Sequence, residues 1–172
     1  LKKGLLILSP VVVLFLIGSM GFFFISFPIF IYGSGARGQL EKLDTIELAG
    51  KTLFVSDFHL RERHIGSTFD IDMTEVKQVM IIGDFFHSPA YFATYGDTER
   101  ERIEKGLATF LPADFVGDVY FVWGRGHDPI LSQSEYDLGQ VQFHYLGEFG
   151  KFNIDGLSVV MLHGQQLHKG VA

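Results

Sequence analysis

The chain of 172 residues contains no cysteine, which excludes disulfide bonds and thiolate metal ligands. Its net charge is −6, from 14 lysines and arginines against 20 acidic residues, and the sequence has no basic stripe that could follow a nucleic-acid backbone. We therefore disfavour nucleic acid as the main partner. Internal repeats and low-complexity tracts are also absent, so a repeat array is not expected.

Charge is missing altogether from residues 4–36. Within that stretch, residues 5–32 form a run of 28 mostly apolar residues, longer than the ~20 needed to cross the hydrocarbon core of a bilayer. The run predicts one transmembrane helix. The alternative is a cleavable signal peptide with residues 34–36 as its cleavage site, but its apolar core would exceed the usual ~7 to 15 residues. Basic residues flank both ends, so their distribution does not orient the span.

The sequence divides into an anchor with its flank at 1–36, a linker at 37–44 and a domain at 45–172, with a glycine-rich stretch at 33–39. At the start of the domain, residues 45–48 and 52–55 are typical of two strands joined by a short turn. This organisation predicts a single-pass membrane protein with one folded domain.

One amphipathic helix is predicted at residues 97–111, with Asp97 or Thr98 as its cap and Pro112 as its stop. Residues 151–162 predict a hairpin that turns at 155–156. Strands surrounding a helix indicate an α/β sandwich.

Residues of the types that bind metals follow four short apolar runs. The runs, at residues 53–55, 79–82, 119–122 and 159–162, are short and β-branched or aromatic, as buried strands tend to be. The residues that follow these runs are Asp57 and His59, Asp84, His127 and Asp128, and His163. Strand ends that deliver carboxylates and imidazoles to one edge predict a metal site.

In order and context, these residues resemble the signature of the calcineurin-like metallophosphoesterases, which is DxH, GD, GNH followed by an acidic residue, HG and finally GHxH. The counterparts here are Asp57-Phe58-His59, Gly83-Asp84, Gly124-Arg125-Gly126-His127-Asp128 and His163-Gly164. The resemblance covers roughly residues 51–164. It implies the calcineurin-like α/β sandwich, preceded in this chain by the transmembrane helix.

The resemblance also implies an activity, the hydrolysis of a phosphomonoester or phosphodiester by a water that two divalent ions activate. Manganese, iron or zinc would suit carboxylate and imidazole ligands. By resemblance, Asp84 bridges the two ions, Asp57 and His59 bind the first and His163 binds the second. His127 would donate a proton to the leaving group, and Asp128 would hold its ring in one tautomer.

Two departures from the signature bear on activity. Arg125-Gly126 stands where the family has the metal-binding asparagine, so Arg125 either binds phosphate or is a solvated loop residue. Nine residues follow His163, and none of them forms GHxH. We therefore expect a domain that is incomplete at its C-terminus and that is completed by a further segment, is completed by a second polypeptide, or has degenerated. Without that motif, a single tightly bound ion is expected.

An anchored site would meet phosphoesters at the membrane surface, such as those of lipids or lipid-linked sugars. By resemblance to membrane-tethered members of the family, the domain is expected outside the cytoplasm. The alternative is a non-catalytic, family-like structural or assembly subunit of a membrane complex, which the lost asparagine and the absent GHxH favour. Among the other histidines, His64 and His87 either line the pocket or are solvated, and His144 is expected on a sheet surface.

Overall fold

The computed structural model describes residues 42–61 and 71–163. Every described residue except Lys42 belongs to one compact unit, Leu43–Val171. The predicted transmembrane helix at 5–32 lies outside the described residues, as does His64. Of the helices that the structure describes, none has the length and apolar character needed to span a bilayer.

The described region is a mixed α/β fold with two β-sheets and short helices. In chain order the elements are β1 (Thr45–Leu48), β2 (Lys51–Val55), β3 (Val76–Ile82), α1 (Pro89–Thr94), α2 (Glu99–Leu107), β4 (Gly117–Val122), β5 (Glu135–Asp137), β6 (Val141–Gly147), β7 (Gly150–Ile154) and β8 (Leu157–Met161).

The larger sheet has five strands in the order β2-β3-β4-β6-β5. Strands β2, β3, β4 and β6 run parallel to one another, whereas β5 runs antiparallel to β6 at the edge. The smaller sheet has the order β1-β7-β8, in which β1 is parallel to β7 and β7 is antiparallel to β8. The carboxyl ends of β2, β3 and β4 therefore meet at one edge of the larger sheet.

Successive side chains of β3 and β4 fill two different cores, because neighbouring residues of a strand point to opposite faces of the sheet. One core contains Val79, Ile81, Val119 and Phe121 together with residues of both helices, including Phe92 and Ile103. The other lies between the two sheets and contains Met80, Tyr120 and Val122 with Leu48 of β1 and Phe152 of β7. The central strands are buried on both faces, which explains their nearly continuous apolar sequence.

Several sequence predictions are confirmed. Helix α2 lies within the predicted range, and Thr98 caps it through a capping box with Glu101. Strands β7 and β8 form the predicted hairpin, in which Asp155 and Gly156 have φ angles of 50° and 83°. Helix α1 was not predicted, although Ser88 caps it and proline opens it.

The strands predicted at 45–48 and 52–55 are present, and the short turn between them joins two different sheets. Strand β1 pairs with β7 of the smaller sheet, whereas β2 pairs with β3 of the larger sheet. The chain thus crosses between sheets at Gly50, whose φ of +77° favours glycine.

Candidate metal centre

Three loops that follow β2, β3 and β4 build one rim at the carboxyl edge of the larger sheet. Asp57 and Asp84 each lie two residues past the end of their strand, and His127 lies five residues past Val122. The strands are parallel and in register, so the three loops leave the sheet in the same direction. The convergence expected from the strand ends is therefore present in the structure.

Backbone hydrogen bonds tie these loops to one another. The N–H groups of Asp57 and His59 donate to the carbonyls of Gly83 and Asp84 at 3.3 and 2.9 Å, and the Gly83 N–H donates to the Val122 carbonyl at 2.8 Å. The ladder of the sheet thus continues into the loops. The backbone that carries these side chains is therefore hydrogen-bonded from one loop to the next.

Three of the candidate ligands have a left-handed backbone, with φ of 57° at Asp57, 47° at His59 and 51° at Asp84. This conformation costs roughly 1–2 kcal/mol per non-glycine residue and persists only where the surroundings enforce it. Here the bonds between the loops supply that constraint. Such strain clusters at functional sites, which favours a functional role for this rim.

The carboxylate of Asp84 lies at the centre of the rim. It is buried, with its side chain 6% exposed, and its Oδ2 lies 3.8 Å from Nε2 of His59 and 4.0 Å from Nε2 of His127. The same oxygen lies 3.8 Å from Nε2 of His163. Three imidazole nitrogens therefore face one carboxylate oxygen without lying within hydrogen-bonding distance of it.

His163 reaches this rim from the other sheet, two residues past the end of β8. Its Nε2 lies 3.7 Å from Oδ1 of Asp57, and its ring packs on the backbone of Gly83. A β-carbon at position 83 would come within 2.4–2.6 Å of that ring. The glycine of the GD motif is thus required for His163 to approach Asp84.

The carboxyl groups of Asp57 and Asp128, both on the loops of the rim, have shifted pKa values. The hydrogen bond from the Ser56 hydroxyl is the main cause that holds the pKa of Asp57 below its usual range, and His163 adds to it. Burial raises the pKa of the Asp128 carboxyl to about 7, against three backbone hydrogen bonds, to Phe86, Gly124 and Asp84, that lower it. Sequence reasoning did not identify Ser56, which precedes Asp57 directly.

Asp128 does not have the predicted role. Its two carboxylate oxygens accept hydrogen bonds from the N–H groups of Phe86 and Gly124, at 2.9 and 2.8 Å. Nδ1 of His127 instead lies 2.7 Å from the carbonyl oxygen of His87, and since a carbonyl can only accept, this nitrogen is the donor. The prediction that Asp128 orients the His127 ring is therefore wrong. The turn at Gly124 directs Asp128 into the protein, where it joins the β4 loop to the β3 loop.

Arg125, the predicted phosphate ligand, is exposed in the loop between β4 and His127. Within the described residues, no hydrogen bond or ion pair holds its guanidinium. The next residue, Gly126, has a φ of +95°, and a β-carbon there would meet nothing within 4 Å. This part of the loop has room for a ligand.

His87 also lies at the rim, although loop histidines are usually solvated and the sequence favoured that interpretation. His59, His87 and His127 each offer a ring nitrogen, and these three nitrogens lie within 4.8 Å of one another. The position of His87, three residues after Asp84, was the sequence signal that could have placed it at the rim. His144, by contrast, lies away from the rim on β6, as expected, where its Nε2 is 3.1 Å from Asp118 Oδ1.

The arrangement of donor atoms fits a divalent ion. Two ligands about 2.0–2.2 Å from one ion lie roughly 3.0–3.6 Å apart, only slightly less than the 3.7–4.0 Å separations around Asp84. In addition, the buried Nδ1 atoms of His59 and His163 have no hydrogen-bond partner among the described residues. A ligand oxygen of Asp57 and one of Asp84 also lie within 4.8 Å of a ring nitrogen of His59. These residues can therefore hold a metal ion with small movements of their side chains.

Comparison with known proteins adds no family assignment, since no protein-family model matches the chain and a search of curated proteins finds no significant match. The resemblance to the calcineurin-like metallophosphoesterases therefore rests on the sequence motifs alone.

Proposed function

We propose that this protein is a metal-dependent phosphoesterase related to the calcineurin-like metallophosphoesterases, with its site on the rim formed by the β2, β3 and β4 loops. The observation that carries the proposal is the approach of His59, His163 and Asp57 to the buried carboxylate of Asp84. Metal-ligand residues from both sheets meet at this carboxylate. A purely structural domain has no need for charged groups collected on a strained backbone.

Asp57, His59, Asp84 and His163 would hold the metal. Divalent ions at this place would polarise a phosphoester and lower the pKa of a bound water, which supplies the nucleophile at neutral pH. Imidazoles and carboxylates without sulfur suit manganese, iron or zinc.

The chain's own residues provide the remaining requirements. The loop-to-loop hydrogen bonds fix Asp57 and Asp84 before any ligand arrives, so binding needs little reorganisation. Arg125 is exposed beside the rim, where its guanidinium can bind phosphate oxygens. His127 Nδ1 donates to the His87 carbonyl, so Nε2 is the nitrogen that remains for a proton or a metal ion.

The membrane anchor at 5–32 would bring this site to phosphoesters at the membrane surface, including lipid-linked ones, with the domain outside the cytoplasm. The role as a non-catalytic subunit of a membrane complex is the competing proposal. A phosphoesterase and a non-catalytic subunit would share this fold but differ in turnover, so a hydrolysis assay separates the two proposals.

The decisive experiment uses the full chain, together with any segment or polypeptide that completes the domain, purified in detergent and loaded with manganese or zinc. It should hydrolyse bis(p-nitrophenyl) phosphate or p-nitrophenyl phosphate, and a chelator should remove that activity reversibly. Asp84→Ala should reduce turnover to the background rate, because it removes the central carboxylate. His144→Ala, a variant of a histidine outside the rim, is the matched control and should retain turnover. Hydrolysis that survives both the chelator and Asp84→Ala would overturn the proposal.

A further inference from the structure

Three histidines from three different loops form a compact cluster at the outer side of the rim. His59 follows β2, His87 follows β3 and His127 follows β4. Their rings are partly buried, with centroids 4.7 Å apart for His59 and His127 and 6.0 Å apart for each pair that includes His87. One nitrogen from each ring lies within 4.8 Å of the other two.

The ring of His127 is prepared for a cation. Its Nδ1 donates a hydrogen bond to the His87 carbonyl at 2.7 Å, so in the neutral ring the lone pair is on Nε2. Histidines that bind metals commonly donate their other ring N–H to a carbonyl or a carboxylate in this way. The lone pair belongs to the nitrogen that faces Asp84.

The position of His87 is likewise fixed by the fold. Its N–H donates to the carbonyl of Leu60 at 3.0 Å, and Leu60 forms a parallel bridge with Phe86. Ser88 then caps α1, so the chain turns directly after His87, and the ring packs edge-on against Tyr91 at 5.2 Å. These contacts join the β2 loop to the β3 loop beside the rings of His59 and His87.

We infer that His59, His87 and His127 bind one divalent cation of the borderline class, such as Zn²⁺, as a three-imidazole site beside the Asp84 carboxylate. His59 is then a ligand of this site, and Asp57, Asp84 and His163 form the carboxylate site of the proposed function. Three protein ligands leave a coordination position for water or substrate, and imidazole suits zinc among the first-row metals. The inference deepens the proposed function by assigning His87 as a ligand and by making His127 a ligand rather than a proton donor.

Zinc titration of the full chain in detergent tests the inference. After removal of bound metal with a chelator, the affinity for Zn²⁺ is measured by competition with a chromophoric chelator, and the tightly held zinc is counted by metal analysis. Replacing a direct ligand should weaken binding by more than the 10- to 100-fold that follows loss of a supporting residue. In His87→Ala and in His127→Ala, the affinity of one class of zinc site should fall by at least that factor. His144→Ala should bind zinc as the wild type does.

A measurement on the wild type guards against variants that fail to fold. Zn²⁺ should shift the ring-nitrogen NMR signals of His59, His87 and His127 and leave those of His144 in place. Unchanged zinc affinity in both His87→Ala and His127→Ala, or an unshifted His87 ring, overturns the inference.

Turnover measured on the same samples separates this inference from the proposed function. If His127→Ala keeps the wild-type zinc content and affinity but loses turnover, His127 is a proton donor, and the inference fails while the phosphoesterase stands. If zinc shifts the three rings of a protein that hydrolyses no phosphoester, the imidazole site stands and the phosphoesterase fails.

Discussion

The carboxylates of Glu99 and Asp84 lie at two places in the same unit and have opposite surroundings. Oε2 of Glu99 accepts hydrogen bonds from the Ser132 N–H, the Ser132 hydroxyl and the Tyr136 hydroxyl at 2.5–3.2 Å. Oδ2 of Asp84 instead faces three imidazole nitrogens at 3.8–4.0 Å. The hydrogen bonds of Glu99 join α2 to β5 and to the segment before it. The imidazole nitrogens around Asp84 instead lie at the spacing of metal ligands.

The difference shows how a structural polar cluster can be told from a binding site. Around Glu99, donors and acceptors satisfy one another, which is the usual state of partly buried polar groups. Around Asp84, three imidazole nitrogens lie 3.8–4.0 Å from one carboxylate oxygen, and the buried Nδ1 atoms of His59 and His163 have no hydrogen-bond partner among the described residues. The following predictions change residues at or beside these two places, in order of decreasing expected effect.

The largest effect is expected from the same chemical change made at both places. Asp84→Asn removes the central negative charge, so metal affinity should fall by more than about 100-fold, since direct ligands matter more than the residues that support them. Glu99→Gln is the matched carboxylate-to-amide control and should leave metal affinity unchanged. Metal titration by calorimetry measures both. Equal losses in the two variants would mean that Asp84 acts only through stability.

The next effect concerns the glycine that packs on Asp84. A β-carbon at position 124 would lie 2.4 Å from the Asp84 nitrogen and 2.5 Å from its Oδ1, so Gly124→Ala should displace this carboxylate. We expect a loss of metal affinity together with about 1–3 kcal/mol of destabilisation, as overpacking usually causes.

The neighbouring Gly126 supplies the control for that steric effect. A β-carbon there would meet nothing within 4 Å, although its φ of +95° makes alanine strained. Gly126→Ala should therefore lose about 1 kcal/mol of stability and keep its metal affinity. Thermal unfolding and metal titration of the two variants, compared side by side, test the packing. Normal metal binding by Gly124→Ala would contradict the expected displacement of the Asp84 carboxylate.

A smaller effect is expected at Arg125. If its guanidinium binds the substrate phosphate, Arg125→Ala should raise KM about tenfold, because a charge-assisted hydrogen bond contributes roughly 1.5–3 kcal/mol. Arg100→Ala is the control, since Arg100 pairs with Glu104 on the surface of α2. Steady-state kinetics and inhibition by inorganic phosphate provide the measurement. No change in either would make Arg125 an ordinary solvated residue.

The smallest effect is a pH dependence at Glu99. Burial raises the pKa of its carboxyl, but the hydrogen bonds from Ser132 and Tyr136 outweigh burial, and the net pKa lies below its usual value of 4.5. A lowered pKa stabilises the protein above the unfolded-state pKa, and this contribution is lost as pH falls through the folded-state value.

Glu99→Gln should therefore lose about 1 kcal/mol of stability near neutral pH and differ less from the wild type below pH ~4. Denaturant unfolding measured across this range tests the sign. A difference that grows as the pH falls would contradict it.

Much of the rim could be predicted from the sequence. Apolar runs of strand length and the ligand types after them indicated which loops would converge, because parallel strands end at a common edge. That argument holds for Asp57, Asp84 and His127. It extends less directly to His163, whose strand belongs to the other sheet.

Other features of the rim depend on contacts between distant residues. The bond from Phe86 N–H to Asp128 spans 42 positions, and nothing local distinguishes an aspartate that bonds backbone from one that orients a histidine. The left-handed backbone at His59 is set by the neighbouring loop, not by histidine's own preference. The pairing partner of β1 was hidden for the same reason, since a turn signal marks where a strand ends and not which strand it joins.

The origin of His163 on β8 has a consequence for the folding equilibrium. It joins the smaller sheet to a site that is otherwise built on the larger sheet, so an ion held between Asp84 and His163 binds only when the two sheets are packed. By mass action, free ion at 100 times its dissociation constant would then add about 2.7 kcal/mol to that packed state. The amide hydrogens of β7 and β8 should accordingly exchange with solvent more slowly as the metal concentration rises, which makes hydrogen exchange in the smaller sheet a gauge of occupancy at the rim.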